Sequence, residues 1–162
     1  VTSLMPVVAT LAYVVSPDRR RVLLIHRDKR PGDIHFGKHL GLGGRVERDE
    51  DVVSGVVREI AEESGLVARD VVLRGTVSWT GFGKGGQDWF CFVFRVDSFE
   101  GEAHGGNDEG TLVWTGVDEL DSVPMWESDA LWLPMVFDDE PPFHGYMPYR
   151  DGEMVSWSFS RA

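Results

Sequence analysis

Apolar and β-branched residues fill Val7–Val15, the run breaks at Ser16-Pro17-Asp18, and a second apolar run follows at Arg21–His26. Two strands joined by a turn are predicted, with Arg19-Arg20-Arg21 as its solvated part. Residues 28–44 are polar at first, then dense in glycine (Gly37, Gly41, Gly43, Gly44), which predicts either an exposed loop or backbone held close to a ligand. Over 51–64 the period changes. Val53, Val56, Val57 and Ile60 recur three and four residues apart, the stripe of an amphipathic helix. Asp49 is the expected N-cap, Glu50 and Asp51 favour the positive end of the helix dipole, and Gly65 is the expected stop. Residues 71–80 and 89–96 read as strands around a glycine-rich turn, and 112–115 as a short strand. A short helix is expected to begin in 117–120, and a longer one spans 129–137, where Pro134 marks a kink or an early turn. Segments 143–149 and 154–159 flank Asp151-Gly152, a hairpin turn. Strands with helices placed irregularly between them predict an α/β fold, a mixed sheet with helices packed on it.

Composition narrows the picture. The chain has 162 residues, 42% hydrophobic, with six Trp, nine Phe and three Tyr, enough apolar material for one domain over 1–162. No run approaches the ~20 apolar residues of a membrane span, and no basic start leads into an apolar leader region. The lone Cys91 excludes an internal disulfide or multi-cysteine zinc site, reads as an inert buried thiol, and suits a cytoplasmic protein. Against 16 basic residues stand 27 acidic ones, a formal net charge of −11. Such a chain repels polymeric phosphate at long range, so no nucleic-acid polymer is expected as a partner. Phosphate, if handled, needs a metal ion to neutralise both sides. Stretches such as Asp138-Asp139-Glu140 read as solvated surface.

Glu59, Glu62 and Glu63 stand at i, i+3 and i+4, on one face of the predicted helix. Like charges so spaced destabilise a helix by about 0.2–0.5 kcal/mol per pair. Either they form a solvated acidic face, or they converge on a hard divalent cation that removes the repulsion. The flanks discriminate. From Gly44 through Glu50 to Arg58-Glu59-Ile60-Ala61-Glu62-Glu63-Ser64-Gly65-Leu66 the segment resembles the Nudix box at every defined position. A plain acidic Ca²⁺-binding protein would not explain the spacing of Gly44, Arg58 and Gly65.

That resemblance implies an α/β/α sandwich with a mixed sheet, and attack of a metal-activated water on a diphosphate linkage. It places Glu59, Glu62 and Glu63 on Mg²⁺ (Mn²⁺ being the other candidate), with the Gly43 carbonyl contributing. Arg58 and Glu50 orient the carboxylates, and Glu63 is the expected general base.

Beyond the box, the chain resembles the MutT-homologue type, which hydrolyses oxidised purine nucleoside triphosphates in nucleotide-pool sanitation. The resemblance puts the segment Met125-Trp126-Glu127-Ser128-Asp129 at the base-binding site, with Trp126 stacked on the purine and Asp129 on its edge. Thr10 and Arg27 fall near sugar and phosphates, Trp79 on the pocket wall, and Glu109 as a further metal ligand or base. Leu40 stands where the human-type enzyme has an edge-reading Asn, and Ser128 where it has an Asp, which leaves the preferred base open. The expected reaction is conversion of a (d)NTP, 8-oxo-dGTP among the candidates, to monophosphate and pyrophosphate. ADP-ribose or nucleotide-sugar hydrolysis, and nucleotide sensing without cleavage, are the alternatives. A monomer and a homodimer both fit. His26, His35, His39, His104 and His144 show no metal-ligand spacing and read as surface or satisfied polar groups, and Trp132 reads as core.

Overall fold

The computed structural model describes residues 2–162. Its strands are β1 (Val7–Val15), β2 (Arg21–His26), β3 (His39–Leu40), β4 (Leu42–Arg45), β5 (Val67–Trp79), β6 (Trp89–Glu100), β7 (Thr111–Gly116), β8 (Phe143–Tyr146), β9 (Tyr149–Arg150), β10 (Glu153–Met154) and β11 (Ser158–Arg161). Its α-helices are α1 (Val52–Ser64) and α2 (Glu127–Phe137), with a 3₁₀ turn at Val117–Ser122. The main sheet runs β11-β8-β5-β6-β1-β2-β3, with β4 also on β1 and β7 also on β2. β1 pairs with β6 and β5 with β8 in parallel, the other pairs being antiparallel, so the sheet is mixed as expected.

The two-residue period of the strands separates two cores. Ala12 and Val14 of β1, Leu23 and Ile25 of β2, and Phe94 and Val96 of β6 pack with Val56 and Ile60 of α1. The alternate positions Tyr13, Val22, Leu24, Cys91 and Val93 pack with Trp132, Leu133 and Val136 of α2. One helix on each face makes the α/β/α sandwich. No helix among the described residues is long and apolar enough to cross a membrane.

Several boundaries differ from expectation, each for a local reason. The N-cap of α1 is Asp51, whose carboxylate accepts from the N–H groups of Val53 and Ser54, whereas Asp49 lies in the preceding turn. Glu50 closes that turn by accepting from the Glu47 N–H at 2.8 Å. Val53 is exposed, and the inward stripe of α1 is Gly55, Val56, Ile60 and Ser64. β5 begins four residues earlier than its apolar run because the β5–β6 hairpin pairs from Val67↔Glu100 to Trp79↔Trp89, its polar end held by the Ser98 hydroxyl donating to Asp70. From the expected loop, β3 pairs with β2 and β4 with β1, and Gly41 and Gly43 let the β4 backbone lie against β1. In the tail, β8 pairs with β11, and the Asp151-Gly152 turn joins a separate hairpin of β9 and β10.

Asp138-Asp139-Glu140 is not plain solvated surface. The buried Arg74 donates to the Asp138 carboxylate (3.1 Å) and to the Met135 and Glu140 carbonyls, while Arg95 donates to the Val136 carbonyl (3.0 Å) and pairs with Asp97 and Asp139. Arg161 adds two bonds to Asp138. These cations satisfy the orphan carbonyls and the negative end of α2, tying it to the sheet.

Candidate active site

β4 and α1 bring the box carboxylates against glycine backbone. The Gly43 N–H donates to Glu63 Oε2 at 3.0 Å. A Cβ at Gly43 would land on the Thr10 carbonyl, so close approach of backbone requires that glycine, and one at Gly44 would lie 2.6 Å from Glu59 Oε1 and displace that carboxylate. Burial pushes the Glu63 carboxyl up to about 8, helped by the negative charges of Glu59 and Glu109 and opposed by the Gly43 N–H. Burial also raises Glu59, against the pull of Arg58. This pair is short of positive charge.

Arg58 is the brace. Its Nε and Nη2 make a fork to Glu50 at 2.9 and 2.6 Å, its Nη1 reaches Glu59 Oε1 at 3.0 Å and Glu62 Oε2 at 3.1 Å, and Nη2 also donates to the Arg45 carbonyl. The fork and the Glu47 N–H hold the Glu50 carboxyl down at about 2. Glu50 and Arg58 thus stand behind Glu59. Glu62 turns away, its carboxylate exposed beside Arg58.

Opposite α1 comes the loop before β7. Asn107 docks it, donating through Nδ2 to the Glu63 carbonyl at 3.1 Å and accepting from the Glu109 N–H at 2.9 Å. Glu109 lies 3.6 Å from Arg27 Nη1 and 3.9 Å from Arg30, and Arg27 is itself held by Asp33.

Of these groups, Gly43, Gly44, Glu59, Glu63, Arg27 and Glu109 line an open cleft of about 1240 Å³. Thr10, Leu40, Trp79, Trp126 and Asp129 line the rest of the same cleft, joined by Phe82, Trp89 and His35. Thr10 is buried, its hydroxyl 3.4 Å from the Gly44 carbonyl. Asp129 is buried with only the Ser128 hydroxyl beside it (3.3 Å), and burial pushes its carboxyl up to about 7. Trp126 donates through its indole N–H to His35 Nδ1 at 2.8 Å, carries the Lys38 ammonium 4.5 Å from its ring centroid, and meets Phe82 edge-on.

Most residues singled out in the sequence therefore meet in one cleft, with Glu62 outside it and Glu50 and Arg58 behind it. Asn107, His35, Phe82 and Trp89 were not singled out. His35 is a satisfied polar side chain as read, but inside the site. Among the described residues no three His, Cys, Asp or Glu side chains converge tightly enough to enclose an ion alone.

A family model described as the NUDIX domain matches residues 5–136. The chain is 30% identical over 146 residues to a protein of Danio rerio named oxidized purine nucleoside triphosphate hydrolase, covering 90% of this chain and 88% of that one. It is 29% identical over 142 residues to the uncharacterized Nudix hydrolase YvcI of Bacillus subtilis, covering 85% of each. A solved MutT structure from Bacillus halodurans superposes with a TM-score of 0.79 at 29% identity, over 94% of this chain and 97% of that one. With its box glutamates set against β4 and its sheet between two helices, the chain belongs to the Nudix family of hydrolases.

Proposed function

We propose that the protein is a divalent-metal-dependent pyrophosphohydrolase that converts a purine nucleoside triphosphate, oxidised purines such as 8-oxo-dGTP included, to the monophosphate and pyrophosphate. One observation carries this reading: a single cleft is lined by the partly buried Glu59 and Glu63 carboxyls, the Trp126 indole and the buried Asp129 carboxyl. The names of the Danio rerio and MutT relatives support the substrate class.

The donor set fits Mg²⁺ or Mn²⁺. Glu59 and Glu63 are oxygen donors whose raised pKa values mark an unmet need for positive charge, and Glu109 faces them. Mg²⁺ keeps waters and takes substrate phosphate oxygens, so a full protein cage is not needed. Glu59, Glu63, Glu109 and the Gly43 carbonyl would hold the cation. Bound there, the ion supplies water activation and charge neutralisation at the phosphates. Glu63, oriented by the Gly43 N–H, accepts the proton of the attacking water. Arg58 keeps Glu59 in place. Arg27, fixed by Asp33, presents a cation to the phosphates beside Thr10. Trp126 offers its ring face to the base. Asp129, titrating near 7, can either donate or accept a hydrogen bond at the base edge at neutral pH.

Leu40 puts an apolar side chain on the cleft wall, which relaxes base selection and so favours a second reading, hydrolysis of ADP-ribose or a nucleotide sugar. The test is a Mg²⁺-dependent panel of canonical and oxidised (d)NTPs, ADP-ribose and nucleotide sugars. The proposal expects pyrophosphate and a monophosphate from purine triphosphates. Cleavage of ADP-ribose alone would install the second reading, and binding without cleavage across the panel a sensor.

A further inference from the structure

The reading of Trp126 as a base platform leaves open what holds its ring. Nothing in the local chain does so. Trp126 is half-buried, precedes α2, and caps that helix without any side-chain hydrogen bond. An indole so placed has several staggered rotamers open to it.

The constraint comes from the β2–β3 loop, ninety-one residues away in the chain. His35 Nδ1 accepts the indole N–H at 2.8 Å, with the two rings edge to face at 5.6 Å and 87°. This fixes the neutral imidazole as the tautomer protonated on Nε2. His35 is itself anchored: Asp33 Oδ1 accepts its backbone N–H at 3.1 Å, and Asp33 Oδ2 is clamped by Arg27 at 2.8 Å. Strand β3, which follows the loop, holds the segment before Trp126, because the His39 N–H donates to the Pro124 carbonyl at 2.7 Å. Lys38 stands over one face of the indole and does not line the cleft, whereas Trp126 and His35 do. The base is therefore assigned to the face away from Lys38. With its N–H occupied by His35, the indole can recognise a ligand only through that face, which leaves edge reading to Asp129.

We propose that His35 is the positioning residue of the base platform, holding the Trp126 ring across the cleft wall so that nucleotide affinity, not the chemical step, depends on it. This rests on the reading of Trp126 above. A ring ordered before binding spares the ligand the cost of ordering it, and losing that order weakens binding about five- to tenfold.

Steady-state kinetics on dGTP and 8-oxo-dGTP with Mg²⁺, in His35→Leu, His35→Asn and Trp126→Ala, test it. His35→Leu keeps the bulk but removes the acceptor, and is expected to raise KM about five- to tenfold with kcat within twofold and the melting temperature within a few degrees. His35→Asn restores an acceptor and should bring KM back to within about threefold. In ¹⁵N–¹H spectra, the indole signal that disappears in Trp126→Phe should move in His35→Leu and return toward its original position in His35→Asn. If Trp126→Ala raises KM but His35→Leu leaves KM and the indole signal unmoved, the positioning role is overturned and the platform stands. Should Trp126→Ala leave KM unchanged, the platform reading falls and the proposal with it. A loss in kcat equal to that in kcat/KM for His35→Leu would also overturn the proposal, since it would place His35 in the chemical step.

Discussion

Asp129 shows how far a side chain can be pushed by its surroundings. Its carboxyl is buried with a single weak partner, and burial raises it from 3.8 to about 7. The unfolded chain loses this proton near pH 4, while the fold keeps it to about 7. Between those values unfolding releases a proton, so the contribution favours the native state fully below about 3.8 and is lost as pH rises through 7. A shift of this size corresponds to about 4 kcal/mol. Melting curves from pH 4.5 to 8 should therefore show the wild type losing stability relative to Asp129→Asn as pH rises. Parallel curves for the two proteins would mean that Asp129 is ionised in the fold throughout. At the other end of the cleft, Glu63→Gln keeps the shape and the Gly43 contact but removes the proton acceptor. Turnover is expected to fall about 10²–10⁴-fold while the circular dichroism spectrum is unchanged. Glu59 and Glu63 were legible from sequence because helical spacing puts them on one face and the flanking Gly44, Arg58 and Gly65 complete the box pattern. His35 and Asn107 were not. They reach Trp126 and Glu63 across 91 and 44 residues from irregular loops, where no periodicity announces a partner.

Elements are where the sequence pattern and the fold part company most. β4 was hidden because Leu42-Gly43-Gly44-Arg45 has no strand alternation, and its pairing with β1 depends on missing side chains. The two central glycines of this strand should respond differently to the same methyl group. At Gly43 the methyl would overlap the Thr10 carbonyl, which is backbone and cannot yield, so Gly43→Ala should break the β1–β4 pairing and lower the melting temperature by ten degrees or more. At Gly44 it meets only the end of the Glu59 side chain, which can swing aside. Gly44→Ala should melt within a few degrees of the wild type yet lose at least tenfold in kcat, because Glu59 leaves its place beside Arg58. Equal thermal losses in the two variants would show that β4 tolerates neither, and that Glu59 is not the element at stake. Helix α1 was legible in type and nearly in extent, but its cap was not. Asp49, Glu50 and Asp51 are alike in composition, and only the Glu47–Glu50 turn, closed by the Arg58 fork, decides that the helix starts after Asp51.

Across the whole molecule, the excess of acid is not spread as surface alone. Part of it neutralises cations at the end of α2: Asp97 and Asp139 pair with the buried Arg95, and Asp138 with the buried Arg74 and the exposed Arg161. Part sits at Glu59, Glu63 and Glu109, where Arg58, Arg27 and Arg30 offset only some of the charge, and the sandwich fold follows from the two-faced patterning that was readable along β1, β2 and α1. The consequence for a phosphate substrate is a conflict of ranges. At long range a net charge of −11 repels a nucleoside triphosphate, while within the cleft Arg27, Arg45 and Lys84 are the cations that meet it. Screening shortens the first interaction before the second, since the Debye length falls from about 20 Å to about 8 Å between 20 and 150 mM salt. At saturating Mg²⁺, kcat/KM for a purine triphosphate should therefore rise about two- to fivefold over that range, with kcat nearly constant, because only the encounter is affected. Stopped-flow or initial-rate measurements at low substrate read this directly. A fall in kcat/KM would mean that the three cleft cations govern approach despite the acidic surface, and Lys84→Gln with Arg45→Gln should then weaken the salt dependence, leaving Arg27 to supply the remainder.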